Sequence, residues 1–296
     1  MEIVSSLTKP VNNNCSYGVK QNSQNKSSVS FCSDQNNNQA KWLLDYFGYT
    51  IINSVANRIG DKIQSLAYEN MTTDKFQEIS EDRAKNLADE MIKKFDMNSV
   101  KRKFCTDEEM QIIFKTSGIN AYFLPKKNIA AAPKIMPSLI FHELGHAVIE
   151  NKTTFLKFLQ THSNLGKRVL PWLWLVMPFI DSIAGQQKAA DKDSPFAKIT
   201  NFIHNHVGSL VFLTFLPQLI SEGMASHYGV TFAKIAQKAG KLSEKEVSHI
   251  EHRYKWAFIT YLTAAGVAAL TIKAYEMFRD RLFGYSTKKQ NDYSQF

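Results

Sequence analysis

Two histidines and a glutamate stand at a spacing suited to metal-dependent hydrolysis, in the stretch Pro137-Ser-Leu-Ile-Phe-His142-Glu143-Leu-Gly-His146. Its apolar residues predict a helix, and Pro137 would occupy a permitted position in the first turn. Because His142 and His146 are four residues apart, both imidazoles leave the same helix face and can bind one metal ion. Glu143 is beside them, where its carboxylate could take a proton from a water. The string predicts a zinc hydrolase site.

A simpler interpretation is a pair of buried or capping histidines with Glu143 in a salt bridge. Gly145 argues against it, because a glycine inside a helix costs about 1 kcal/mol relative to alanine. A purely structural helix would not need that glycine. We therefore expect a functional site in this helix.

A third ligand is expected, because a catalytic zinc ion takes three protein ligands and keeps one position for water. The candidates after His146 are Glu150, Asp181, His204, His206, Glu222 and His227. Glu150 follows on the same straight helix, which cannot easily surround a tetrahedral ion with three consecutive turns. On a helix, His204 and His206 would face apart. Glu222 is best placed, because it follows a hydrophobic segment that would return the chain to the His-Glu helix.

The residues after Glu222 suggest how its helix would pack and what else it could supply. Gly223 and Ala225 are small enough to let two helices approach closely. An oxyanion also needs a hydrogen-bond donor, and His227 or Tyr228 are the candidates. His227 fits a structural role equally well.

The whole chain is predicted to be mainly α with a small β edge. Residues 1–39 are rich in Asn, Ser and Gln and are predicted to form a disordered tail, since they can bury little apolar surface. Residues 40–255 would form the catalytic domain, with a hydrophobic helical hairpin at 168–220. Residues 256–296 would add a hydrophobic helix and a basic tail.

Short apolar runs in residues 112–133, separated by Gly, Asn and Lys-Lys, predict a strand, a turn and a second strand. Pro125 and Pro133 would confine these strands to the edge of a sheet. An exposed edge strand before a catalytic helix could bind an extended peptide through backbone hydrogen bonds. A hairpin that only covers the core fits the sequence equally well.

Charge and hydrophobicity favour a membrane partner over nucleic acid. The net charge of +9 comes without a basic stripe interleaved with aromatic residues, so no nucleic acid is expected, and an anionic membrane surface fits better. Hydrophobic segments at 169–180, 207–220 and 256–272 are each shorter than a comfortable span of about 20 residues. The lysine-rich stretch 230–255 would place the catalytic side in the cytoplasm, but basic residues after the third segment conflict with a simple span there.

The order of three motifs resembles the membrane-embedded gluzincin proteases of the HtpX and CAAX-prenyl-protease kind. The motifs are Asn120-Ala-Tyr-Phe-Leu-Pro125, the His-Glu string and Glu222-x-x-Ala225-Ser226, with two hydrophobic segments between the last two. The resemblance covers roughly residues 75–240. It implies a zincin-like core with inserted hydrophobic helices, one zinc ion on His142, His146 and Glu222, and a peptide or membrane-protein substrate beside membrane lipid.

This chain departs from the family pattern at two places. Ser226 stands where the family usually has Asp, the carboxylate that orients a zinc-bound histidine. A serine can accept the same hydrogen bond but raises the basicity of the histidine less, which would lower zinc affinity or rate. The pair of spanning helices that normally precedes the zinc helix is also missing.

The sequence as a whole predicts a zinc-dependent endopeptidase at a membrane, with Glu143 as general base. Two alternatives stay open. One is a site-2-type intramembrane protease that uses Asp181, which follows a Pro-containing hydrophobic segment. The other is a non-catalytic zinc-binding membrane adaptor, a degenerate protease, which the serine at position 226 would favour.

Overall fold

The computed structural model describes residues 31–72, 78–114, 120–152, 154–173, 176 and 194–283. The helices are α1 Phe31–Thr72, α2 Glu81–Lys94, α3 Asp107–Phe114, α4 Ile140–Lys152, α5 Thr154–Thr161, α6 Pro195–Thr214, α7 Leu216–Lys238 and α8 Glu244–Phe283. The strands are β1 Lys101–Cys105, β2 Tyr122–Leu124 and β3 Ile129–Pro133. Residues 165–173 are also helical. The mainly helical chain with a small β part is as predicted.

Two helices run across the predicted boundaries. The chain divides into two units after Ala40, close to the expected boundary at residue 39. Residues 1–30 of the predicted tail lie outside the described part, and residues 31–39 belong to α1, which begins at Phe31. The boundary expected after residue 255 falls inside α8, which is one helix across it. Much of the predicted hairpin, including residues 177–193, lies outside the described part.

The sheet has the strand order β1-β3-β2. Strands β2 and β3 form an antiparallel hairpin around a short turn at Pro125–Lys127, as predicted, and β2 is an edge strand. Residues 112–114 were expected to begin a strand but belong to α3. The expectation for Pro133 is also wrong, because it ends the central strand β3. A proline is tolerated there, since the next residue, Lys134, donates its backbone N–H to the Cys105 carbonyl at 2.9 Å.

Helix α4 packs between β3 on one side and α7 on the other. Its apolar residues are fully buried: Ile140, Phe141, Leu144, Ala147, Val148 and Ile149. The side chains of His142 and His146 keep 12% exposure. The apolar faces of α4 therefore fix its rotation, and this rotation leaves the two histidines together at a narrow opening.

Two glycines let the backbones of α4 and α7 come close. A Cβ on Gly145 would overlap the carbonyl oxygen of Ala225 on α7. On α7 itself, a Cβ on Gly229 would lie 3.0 Å from the carbonyl oxygen of Phe141. This explains the helix-weakening glycine in the His-Glu string. Ala225 lies in the contact as expected, whereas Gly223 faces Phe258 of α8 instead.

The start of α4 is anchored from α8 by a buried polar network. Arg253 pairs with the Glu78 carboxylate and donates to Ser138 Oγ at 2.8 Å. The Tyr254 hydroxyl donates to the Ser138 carbonyl at 2.6 Å and accepts the backbone N–H of His142 at 3.0 Å. The network therefore holds the turn that presents His142.

We expect this anchor to make stability depend on pH through Glu78. Burial alone raises the pKa of the Glu78 carboxyl, but the hydrogen bond to His249 and the charge of Arg253 outweigh it, so the pKa is lowered. Because the folded-state pKa is the lower one, the stabilisation is complete above about pH 4.3 and is lost as the pH falls through the folded-state value. Glu78→Gln should cost about 2–4 kcal/mol of unfolding free energy at pH 7.

Urea unfolding of both proteins across pH 7 to 3 measures this effect. The difference should shrink at the acid end, because a protonated Glu78 is neutral like the glutamine. An equal difference at every pH would contradict the assignment.

Candidate metal centre

Helices α4 and α7 bring His142, His146 and Glu222 together, and these residues could hold a metal ion. Their ligand atoms all lie within 4.8 Å of one another. Glu222 Oε2 is 3.1 Å from His142 Nε2 and 3.5 Å from His146 Nε2. A tetrahedral zinc ion with bonds of about 2.1 Å keeps its ligand atoms about 3.4 Å apart. The predicted ligands therefore lie at the separations that one ion would bridge.

Ser226 lies beside a histidine of the centre. Its Oγ is 3.2 Å from Nδ1 of His142. A partner at Nδ1 fixes the ring orientation and leaves Nε2 free to bind a metal. Ser226 lies one turn after Glu222 on α7. It therefore orients His142, which belongs to α4.

His146 has a corresponding partner that the sequence did not reveal. Gln160 of α5 places its Oε1 3.3 Å from His146 Nδ1. Gln160 is itself held by Glu150 at 3.5 Å, and Glu150 pairs with Lys157 at 2.9 Å. Glu150 therefore supports the histidine from outside and does not join the ligand atoms.

Burial sets the electrostatics of the centre. It raises the pKa of the Glu143 carboxyl, against the opposing influence of the two histidines. Burial alone would lower the pKa of His146, but the Glu222 carboxylate outweighs it and raises the pKa to about 9. At neutral pH a proton on His146 balances the charge of Glu222, and a divalent cation at the same place would displace that proton.

No protein-family model, no curated protein and no solved structure matches this chain. Its function therefore has to be inferred from the residues and the geometry of the centre.

Tyr261 of α8 completes the surroundings of Glu222. Its hydroxyl interacts electrostatically with the Glu222 carboxylate. Strand β2 contacts α4, the helix that carries both histidines. Tyr261 was missed because it stands within a hydrophobic segment, 256–272, where an aromatic residue suggests only packing.

The predicted donors His227 and Tyr228 are not brought to this centre. His227 is exposed on α7, five residues after Glu222, which is about 140° around the helix. Its ring meets that of Tyr228 at 5.9 Å, and Tyr228 packs against Phe95. The geometry does not support His227 as an oxyanion donor. Tyr261 is better placed.

Other candidate ligands have different positions. His206 is exposed on α6, whereas His204 is buried and faces α8, so the two do face apart. Asp181 lies outside the described residues. The Asp181 alternative therefore stays a prediction.

Ser226→Asp is expected to tighten zinc binding by about tenfold, because changes to an outer-shell partner alter metal affinity by roughly 10–100-fold. A carboxylate at this position would make the His142 imidazole a stronger ligand. Competition with a fluorescent zinc chelator at pH 7.5 measures the change, with His227→Asp, at an exposed position on α7, as a control for added negative charge. Unchanged affinity would show that the serine already orients His142 as well as a carboxylate does.

Two stretches of helix are long and apolar enough to cross a membrane, residues 198–238 and 244–282. In the second stretch, only 17% of the most apolar segment of 18 residues is buried inside the protein. Exposed apolar side chains on these helices include Ile199, Phe202, Leu213, Leu262, Leu270 and Met277. Such a surface is consistent with membrane association.

Proposed function

We propose that this chain is a zinc-dependent endopeptidase that works at a membrane. The observation that carries the proposal is the convergence of two histidines and Glu222 beside the buried Glu143. Two imidazoles and one carboxylate are a donor set that zinc hydrolases use, and they leave a coordination position open. Bound there, Zn²⁺ would supply Lewis acidity toward the scissile carbonyl and lower the pKa of a water.

The side chains around the centre have separate parts in hydrolysis. Glu143 would accept the proton of the attacking water and then pass it to the leaving amine. Tyr261, at the Glu222 carboxylate, is placed to donate a hydrogen bond to the oxygen that gains negative charge. Ser226 and Gln160 hold the two imidazoles in the required orientation.

The position of β2 supports a peptide as substrate. Its outer side is a sheet edge among the described strands, and the strand contacts α4, which carries both histidines. An extended peptide could add to this edge through backbone hydrogen bonds, which would place its scissile bond near Glu143. A substrate bound in this way would be an unfolded or membrane-inserted polypeptide.

Membrane lipid is the second partner in this proposal. The two apolar helical stretches and their exposed side chains would contact lipid. The lysine-rich residues 230–255 lie at the junction of α7 and α8, and such residues favour the cytoplasmic side. No role for nucleic acid is proposed.

Removal and return of zinc tests the activity directly. The zinc-loaded chain should cleave a dye-quenched unfolded protein, lose more than nine-tenths of its rate to a chelator such as 1,10-phenanthroline, and regain it with stoichiometric Zn²⁺ but not with excess Mg²⁺. Stoichiometric zinc without hydrolysis of soluble or membrane-protein substrates would instead indicate the non-catalytic adaptor.

A further inference from the structure

A second group of ligand-type side chains lies between α6 and α8. His204 comes from α6, Glu276 and Asp280 come from α8, and their ligand atoms lie within 4.8 Å of one another. His204 Nε2 is 3.4 Å from Glu276 Oε1 and 3.2 Å from Asp280 Oδ1. These distances match the separation of about 3.4 Å between ligand atoms on a tetrahedral zinc ion. They fall in the same range as those of the first centre.

The group is built into the helix pair. Glu276 and Asp280 are four residues apart and therefore share one face of α8. Gly208, one turn after His204, brings α6 close to this face. A Cβ there would lie 3.0 Å from the Ala269 carbonyl oxygen. The backbone approach thus positions the imidazole between the two carboxylates.

One imidazole cannot satisfy the two carboxylates by hydrogen bonding. His204 and Glu276 are 5% and 2% exposed. The Nε2 atom carries at most one proton, so it can donate to one oxygen at good geometry. The hydrogen bond from His204 to Asp280 is made at Oδ2, 3.3 Å away, whereas Asp280 Oδ1 is buried and accepts no hydrogen bond from a described residue. Burying such groups costs several kcal/mol each unless a charge compensates them.

The group carries a net negative charge while the imidazole is neutral. Lys273 lies 2.5 Å from the other oxygen of Glu276, and 38% of its side chain is exposed, so it approaches from the solvent side. Arg279 is paired with Asp45 of α1 at 3.2 Å. With Lys273, the two carboxylates leave one negative charge unbalanced, which either a proton on His204 or a cation held by the three side chains would offset.

We propose that His204, Glu276 and Asp280 form a second metal site, which binds one divalent cation and ties α6 to α8. One imidazole and two carboxylates suit Zn²⁺ or Mn²⁺. The site is distinct from the first centre, since residues 261 and 276 are separated by about 22 Å along α8. The site is independent of the proposed peptidase activity.

The metal content of the full-length chain tests the site. The chain is equilibrated with Zn²⁺ or, in a separate sample, with Mn²⁺, and free metal is removed. Elemental analysis should then find close to two ions per wild-type chain in the sample whose metal binds at both sites. His204→Ala and Asp280→Asn should each lose one ion. The double variant His142→Ala/His146→Ala should also lose one. His206→Ala, exposed on the same helix, should keep both.

A thermal measurement guards against loss of metal through unfolding. In the His142→Ala/His146→Ala background, saturating metal should raise the melting temperature by about 5 °C, because it binds only the folded state. Adding Asp280→Asn to that background should abolish the rise. Circular dichroism of each metal-free variant checks that the helices are intact.

The possible patterns of metal content separate this proposal from the first. A single ion per wild-type chain, lost in His142→Ala/His146→Ala and kept in His204→Ala, would overturn the second site and indicate a protonated His204 between two carboxylates. A single ion kept in His142→Ala/His146→Ala and lost in His204→Ala would support the second site and overturn the zinc centre of the proposed peptidase.

Discussion

Glu143→Gln is expected to lower kcat for peptide hydrolysis by a factor of about 10³ or more while zinc stays bound, because general bases contribute typically 10²–10⁴-fold. The amide has nearly the same shape as the carboxylate but cannot accept the proton of the attacking water. Glu143 is not among the converging ligand atoms, so its replacement leaves the zinc ligands in place. The rate of cleavage of a dye-quenched unfolded protein checks the loss of activity. The zinc content of the same sample checks that the metal stays bound.

Loss of activity in Glu143→Gln should not come from unfolding. Burial raises the pKa of this carboxyl, so its charged form destabilises the metal-free fold at neutral pH. A neutral glutamine should therefore leave the melting temperature unchanged or slightly higher.

Two comparison variants sharpen the interpretation. Tyr261→Phe should keep zinc and lose about 10–100-fold in kcat, less than the roughly 10²–10³-fold loss of a dedicated oxyanion donor, since this hydroxyl is shared with Glu222. His227→Ala should leave the rate unchanged, because the residue is exposed and turned away from the centre. Full activity in Glu143→Gln would sink the mechanism, whatever the other two variants do.

The parts of the centre that depend on short sequence spacings could be predicted from the sequence. The four-residue spacing of His142 and His146 fixes their shared face without tertiary information. Gly145 argued against a purely structural helix, since an unneeded glycine weakens a helix, but its close contact with Ala225 could not be read from the sequence. Glu222 could be singled out because of its place after a hydrophobic segment, and Ser226 because of its place one turn later.

The rest depends on contacts between residues far apart in the chain. Gln160 reaches His146 only because α5 follows α4 at a particular angle, which no spacing rule gives. Tyr261 and Glu222 meet through the packing of α7 and α8, although Tyr261 has the sequence context of a core or lipid-facing residue. His204 and Glu276 are likewise joined only by helix packing. Strand β1 begins with the basic residues Lys101, Arg102 and Lys103, whose composition suggests an exposed surface segment. They form a strand because β1 pairs in parallel with β3.

The continuity of α8 changes how the end of the chain is understood. A hydrophobic helix that began at residue 256 could be an appendage to a finished domain. The helix instead begins at Glu244 and carries Arg253, Tyr254 and Tyr261 into the anchor and the centre. A truncation before residue 256 would therefore remove Tyr261 from the surroundings of Glu222.

Glu222→Ala is expected to abolish stoichiometric zinc binding at the first centre, and Asp181→Ala is expected to leave it intact. Loss of a direct ligand should cost more affinity than the roughly 10–100-fold lost with an outer-shell partner. Glu222 also meets both His142 and His146, so its removal leaves two ligands that cannot complete a tetrahedral site with one open position.

Zinc content is best compared in the Asp280→Asn background, so that metal at the His204 group does not mask the loss. Glu251→Ala, an exposed glutamate paired with Lys234, serves as the matched control for removing a carboxylate from this part of the chain. Zinc kept in Glu222→Ala and lost in Asp181→Ala would place the third ligand in the segment that ends at Asp181, as in a site-2-type protease. The opposite result would place it on α7, one turn from Ser226 and beside Tyr261, where one helix then supplies both a ligand and the group that orients a ligand on its neighbour.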